Sequence, residues 1–327
     1  MDDIVYTGPF SHYISEFIAL KRSFGYSYHE EADRLRHFDR MTATNYPNAK
    51  YISKEIADNW CDWNGNEAVS TLNGRIATIK QFTRYMAGID NRTHVINRKP
   101  GIVPKYKPHI FSHEEIRKFF IEVDNMQFKN RPPLAHITYP ALFRVLYCCG
   151  MRVSEVCDLK VKNFEDGCLI VEHGKFGKGR IVPLHTSLVS VLDGYIQKVH
   201  PTNNLEDYLF VDGFDNHKLY STKVYDTFRN LLIKAEIQHG GKGKGPRVHD
   251  FRFTFIVHRL EKWIHDNADI NAWLPVLQFY VGHSDMDALG YYLQITMEVY
   301  PDIRNKIKEA FGDIVPTSYM EVDDENN

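Results

Sequence analysis

The stretch 97-NRKPGIVPKYKPH-109 divides the chain. Prolines at 100, 104 and 108 fix φ and remove amide donors, so no regular helix or central strand runs through it. Arg98, Lys99, Lys105 and Lys107 follow no period, which predicts an extended basic linker over 97–109. Hydrophobic cores must therefore lie on either side of it. A chain of 327 residues, 43% of them apolar, has material for two.

Before the linker, apolar residues recur at spacings of three and four in 14-ISEFIALKRSF-24 and 75-RIATIKQFTRYMAG-88, and strand signals are absent. The expectation is a first domain over 1–96 of roughly four helices. After the linker, Ser112 and Glu115 stand at capping-box spacing, which opens a helical region reaching Gly150. In 168-CLIVEHGKFGKGRIVPLH-185, two β-rich runs flank a Gly-Lys turn and predict a hairpin. Helices resume near Thr186, and the second domain is expected over 110–315. The acidic remainder, 316–327, is too polar to fold.

Composition excludes several classes. A net charge of −2 argues against a protein that coats nucleic acid indiscriminately, although 97–107 and 239-HGGKGKGPR-247 are locally basic. No run reaches the roughly 18 to 20 apolar residues of a membrane span, and the Met-Asp-Asp start is unlike a secretory leader, so the expected location is the cytoplasm. Cys61, Cys148, Cys149, Cys157 and Cys168 form no CxxC pair and read as small buried hydrophobes rather than metal ligands. Neither GKFGKGR nor GGKGKGPR has the GxxxxGK[ST] spacing of a phosphate-binding loop.

Several positions have the chemistry of a site, and each has a plainer reading. Arg152 in 149-CGMRVSEVCDLK-160 follows a helix-ending glycine, with Glu155 placed for the next helix's first turn; an arginine there is commonly solvated. Lys175 falls at the hairpin turn, where an exposed lysine is ordinary. His249 and Arg252 in 247-RVHDFRFTF-255 are three apart, on one helical face, and could be a structural pair. His283 sits in a Gly-His-Ser turn within 281-VGHSDMDALGYYLQIT-296. In a helix starting near 285, Met286, Leu289 and Leu293 form one apolar stripe, Tyr292 lies at its flank and Tyr291 nearly opposite. A flank position lets a phenol rest on the core edge and present its hydroxyl to a cleft.

The succession GMRVSEVCDLK, HGKFGKGRIVPLH, HDFR and VGHSDMDALGYY resembles, in order and spacing, the tyrosine recombinase (phage integrase) family. The resemblance covers 110–312, and the first domain with its linker is similar to the family's core-binding domain. It implies a mainly α fold: a helical, SAM-like core-binding domain, then a helical catalytic domain with a small β-hairpin. It implies site-specific DNA recombination through a 3′-phosphotyrosyl intermediate and a Holliday junction. Arg152 and Arg252 match the family's two arginines, Lys175 its hairpin lysine, His249 and His283 its two histidines. The nucleophile lies nine residues after the second histidine, which selects Tyr292. Phe253 departs from the family, where His or Arg is frequent, and is expected to affect packing; Glu155 is expected to be structural.

The chemistry suits those residue types. A tyrosine conserves the phosphoester energy that a free 5′-hydroxyl later recovers. Two guanidiniums can hold the nonbridging oxygens as charge grows on them, so no metal and no cofactor is required. Lys175 is the candidate acid for the departing 5′-oxygen, His249 the acceptor for the Tyr292 proton, and His283 a phosphate ligand. The resemblance implies double-stranded DNA clamped by both domains, a homotetramer on paired sites, exchange of a C-terminal helix such as 302-DIRNKIKEAF-311, and accessory proteins. Arg98, Lys99, Lys105 and Lys107 are the candidate backbone contacts of the linker; Lys242, Lys244 and Arg247 either join them or form a solvated loop. Residues 274–283 and 292–303 look more like integrases of mobile elements than chromosome-dimer resolvases. The rival readings are a catalytically silent architectural DNA-binding subunit, a type IB topoisomerase and a metal-dependent nuclease.

Overall fold

The computed structural model describes residues 4–62, 65–103, 106–172, 179–241, 245–282, 291–293, 295–296 and 299–300. It divides into two compact units, Met1–Tyr106 and Lys107–Asn327.

Among the described residues the first unit holds four helices: α1 (Ser11–Ser23), α2 (His29–Asn45), α3 (Lys54–Cys61) and α4 (Val69–Ile89). α4 packs on each of the other three. It can do so because Leu72, Ile76, Ile79, Phe82, Thr83 and Met86 recur at helical spacing and are all buried. The Phe82 ring lies 5.5 Å from Phe17 and 6.2 Å from Phe38. Asp39 is tolerated inside because its carboxylate accepts the Thr7 and Gly8 amides at 2.7 and 2.9 Å. Residues 94–103 form neither helix nor strand. Asn73 clasps both backbone groups of Gly101 at 2.8 Å.

The second unit runs α5 (His113–Asp124), α6 (Ala135–Cys149), α7 (Val153–Asp158), β1 (Phe164–Glu165), β2 (Cys168–Val171), β3 (Arg180–Pro183), α8 (Thr186–Val199), α9 (Ser221–Lys234), α10 (Asp250–His265) and α11 (Ile270–Val281). α5 opens on the capping box: Ser112 Oγ accepts the Glu115 amide at 3.2 Å, and Glu115 Oε2 accepts the Ser112 amide at 2.8 Å. α6 packs on α5, α7, α8 and α10. Its Leu142, Phe143, Val145 and Leu146 meet a cluster of rings in which Phe251 lies 5.1 Å from both Phe111 and Phe119 and 5.4 Å from Phe228. A second cluster joins α10 to α11 and takes in Tyr292 and Leu293.

The sheet is antiparallel in the order β1-β2-β3, with Leu169 opposite Val182. The sequence pattern predicts two strands; the third, β1, comes from Asp166 and Gly167, whose φ values of 49° and 70° make a tight two-residue turn. The turn of the predicted hairpin, 173–178, lies outside the described residues, as do 301–327 with the candidate exchanged helix and the acidic tail. The five cysteines are unpaired; Cys61, Cys149 and Cys157 are buried, while Cys148 is exposed, one helical step from the core face. No described helix is long and apolar enough to cross a membrane.

Candidate active site

The site begins with the way α10 enters the core. Asp250, fully buried, accepts the Arg247 amide at 2.9 Å and the His109 amide at 3.4 Å, which fixes the turn ahead of the helix. Phe251 then points into the ring cluster, so Arg252, one step round, is carried to the other side of the helix entrance. Only 1% of Arg252 is exposed. Its Nη1 donates to the Gly150 carbonyl at 2.8 Å and its Nη2 to the Val281 carbonyl at 2.6 Å.

Those acceptors lie where helices end. Gly150 closes α6 and Gly282 closes α11, both in the left-handed region at φ 58° and 71°. The last carbonyls of a helix lack intrahelical partners and stand at the negative end of its dipole, so they suit cations. Three arginines use them on α11. Arg180 Nε donates to the Tyr280 carbonyl at 2.9 Å, Arg252 to Val281, and Arg152 Nη2 to Gly282 at 3.0 Å.

Glu155 ties two of the three together. Its Oε1 accepts from Arg152 Nη1 at 2.8 Å and Arg180 Nη1 at 3.0 Å, and its Oε2 from the Arg152 amide at 3.0 Å and Arg180 Nη2 at 2.8 Å. Burial alone would raise this carboxyl, but the hydrogen bonds and charge of Arg180, with those of Arg152, outweigh it and hold it at about 2. Burial, followed by repulsion from Arg152, draws Arg252 down to about 10, which leaves it charged at neutral pH.

Tyr292 meets this cluster from the other side. It is 3% exposed, deeper than the flank position the helical wheel assigns it, and belongs to the α10–α11 core. Burial raises its phenol, while the positive charges of Arg252 and then Arg152 oppose that rise. Tyr291 is half-buried. His249 is crowded on one side and open to solvent on the other; lost hydration and then the positive Arg252 and Arg152 lower its imidazole, so it is neutral at pH 7. Phe253 stands between them, its ring 5.4 Å from His249 and 5.4 Å from Tyr292.

Arg152, the His249–Arg252 pair and Tyr292 are thus brought together from three separate stretches of sequence. Lys175 and His283 lie outside the described residues, as do Lys105, Lys242 and Lys244. Lys99, Lys107 and Arg247 are exposed. Arg98 turns back onto α3, donating to the Cys61 carbonyl at 2.7 Å.

Sequence reasoning missed Arg180. Strand parity carries the signal: Val182 faces the core and Ile181 is 57% exposed, so the residue two before Val182 must face inward. An inward arginine requires a buried acid, and Glu155 supplies it.

The phage integrase family model matches residues 111–298. Over 310 residues, 92% of this chain and 97% of the relative, the sequence is 26% identical to y4rB of Sinorhizobium fredii, a candidate integrase/recombinase. It is 30% identical over 242 residues to a tyrosine recombinase of Pseudothermotoga lettingae, covering 73% of this chain and 75% of that one. Among solved structures, the Tn1549 transposon integrase in complex with transposon right end DNA matches with a TM-score of 0.61 and 15% identity, over 92% of this chain and 99% of its own. A lambda integrase tetramer bound to a Holliday junction matches with a TM-score of 0.57 and 16% identity, over 86% and 76%.

Proposed function

Because the chain belongs to the phage integrase family, we propose that it is a site-specific DNA recombinase of a mobile element, cutting and rejoining strands through Tyr292. The observation that carries this reading is the buried Tyr292 phenol, with the charges of Arg252 and Arg152 opposing the rise that burial gives its hydroxyl.

The Tyr292 oxygen attacks the scissile phosphorus and the bond from phosphorus to the 5′-oxygen breaks, leaving a 3′-phosphotyrosyl linkage. Neutral His249 takes up the phenolic proton, and Lys175 gives one to the departing 5′-oxygen. Arg152 and Arg252 hold the nonbridging oxygens, with His283 as a further donor. An incoming 5′-hydroxyl reverses the step and releases the enzyme. Both arginines are held by backbone carbonyls before substrate arrives, so little reorganisation is needed when charge develops.

Four protomers act on two double-stranded sites and exchange strands in pairs through a Holliday junction, on the nucleoid in the cytoplasm, with accessory proteins setting direction. Lys99, Lys105, Lys107, Lys242, Lys244 and Arg247 contact the DNA backbone, and such contacts position rather than specify. Arg98 serves the α3 end first.

The test uses nicked suicide DNA carrying the element's end sequence, in EDTA, on a denaturing gel. A covalent band from wild type and Tyr291→Phe, absent from Tyr292→Phe, is the expected result. Loss with Tyr291→Phe alone would move the nucleophile by one residue, and DNA binding without any covalent band would put the architectural reading in its place.

A further inference from the structure

On the side of α10 that the recombination site does not use, three ligand-type groups converge. His113 is the first residue of α5; His258 and Glu261 are three apart on α10 and so share a face. Their nearest donor atoms all lie within 4.8 Å of one another. His113 Nε2 is 2.9 Å from Glu261 Oε2, and the two imidazoles stack with centroids 4.1 Å apart.

His258 is the informative member. It is 9% exposed, its Nδ1 is engaged with the Tyr147 hydroxyl at 3.0 Å, and its Nε2 is buried without a hydrogen-bond partner. The Phe111 carbonyl comes near enough to favour a charged ring, but not in hydrogen-bond geometry. An imidazole nitrogen is seldom left so, because the lost hydration is not repaid. Tyr147 also supplies what a metal-ligating histidine needs at its other nitrogen, an acceptor that fixes the tautomer and turns Nε2 outward. With Nδ1–H donating to the Tyr147 oxygen, the Nε2 lone pair faces His113 and Glu261.

We propose that His113 Nε2, His258 Nε2 and a Glu261 carboxylate oxygen bind a divalent ion of the zinc class. Two neutral imidazoles and one carboxylate, with a fourth position left to water, form a known zinc donor set. Tetrahedral zinc at its usual bond lengths separates donors by about 3.4 Å, which a small rotation of the exposed His113 ring reaches. The first turn of α5 opposes a cation there through its dipole, and the Glu261 charge offsets it. The ion fastens α5 to α10, the helix whose first turn carries Arg252, without entering the strand-transfer chemistry.

The experiment uses the full chain, stripped with chelator that is then removed, and titrated with Zn²⁺ alone by calorimetry. Co²⁺ is the spectroscopic probe, since tetrahedral cobalt absorbs visibly where octahedral cobalt barely does. The expected result is one ion per chain, tetrahedral cobalt bands, and a melting temperature raised by roughly several degrees at saturating metal. His113→Ala changes an exposed group and Glu261→Gln is isosteric, so both leave the fold intact by circular dichroism; each should weaken binding at least tenfold, and Tyr147→Phe several-fold. The proposal is overturned if wild type takes up no ion, or if His113→Ala and Glu261→Gln bind as wild type does, which would place the ion elsewhere among the sixteen histidines.

Discussion

Replacing Glu155 with Ala removes the carboxylate that Arg152 and Arg180 share. Glu155 and Arg180 each expose 4% of their side chains, so little solvent can take the carboxylate's place. Breaking one partner of a buried pair costs about 3–5 kcal/mol, because the survivor stays buried and uncompensated. For a domain of about 200 residues that lowers the melting temperature by roughly 6–20 °C. The pH dependence gives a second signature. A carboxyl held at about 2 against its ordinary 4.5 contributes its stabilisation fully above pH 4.5 and loses it as pH falls toward 2. Wild type should therefore lose its advantage over Glu155→Ala across that window, read by thermal melts at pH 7, 5 and 3. A variant melting within about 2–4 °C of wild type at pH 7 would refute the reasoning, since that is the scale of 1 kcal/mol.

A double replacement separates stability from catalysis. Exchanging a buried ion pair for apolar residues of similar volume is often neutral for the fold. Glu155→Met with Arg180→Met should melt nearer wild type than Glu155→Ala does. It should still cleave suicide DNA poorly, because Arg152 has lost the acceptor at 2.8 Å that aims it. Full cleavage by the double variant would show that Arg152 is positioned by the Gly282 carbonyl alone.

Three further outcomes follow from the same geometry. Gly282→Ala puts a Cβ at φ 71° and 3.0 Å from Arg180 Nη1, and should cost about 1–2 kcal/mol in melts while slowing cleavage, whereas Gly194→Ala, inside α8 with open space around it, should leave cleavage unchanged and raise stability by up to about 1 kcal/mol. Cleavage by wild type should hold its rate below pH 6.5, where an ordinary histidine protonates, because His249 is lowered and stays neutral as a base; a rate that halves near pH 6.5 would contradict this. Phe253→Ala removes the ring between His249 and Tyr292, and should lower the covalent-complex rate several-fold with DNA affinity unchanged by gel shift.

The parts of this fold that were legible in the sequence are those that depend on neighbours in the chain. The α5 cap is set by Ser112 and Glu115 alone, and the buried stripe of α4 by its own spacing. The identities of Arg152, His249, Arg252 and Tyr292 were legible through a family pattern, but not why they meet. The two arginines are gathered by the carbonyls of Val281 and Gly282, and a backbone carbonyl belongs to every residue and so leaves no mark in the sequence. Arg180 was hidden for a related reason. Next to glycines and a lysine it reads as one more turn cation, and only strand parity against Val182 turns it inward. The wheel that put Tyr292 at a flank treats a helix as facing one surface, whereas Phe253 and α11 cover it from more than one direction.

The three arginines raise a question of balance that the backbone answers. Guanidiniums close enough to depress one another, as Arg152 and Arg180 do Arg252, repel and favour dispersal. One carboxylate, Glu155, neutralises only part of that charge, and its hydrogen bonds go to Arg152 and Arg180. Arg252 has instead two carbonyls at helix ends, which supply partial negative charge in fixed directions without cancelling its own. Three guanidiniums against one carboxylate leave the corner with a net positive charge. On the proposed function a substrate phosphate relieves it, so the electrostatic deficit of the fold is made good by the DNA rather than within the protein.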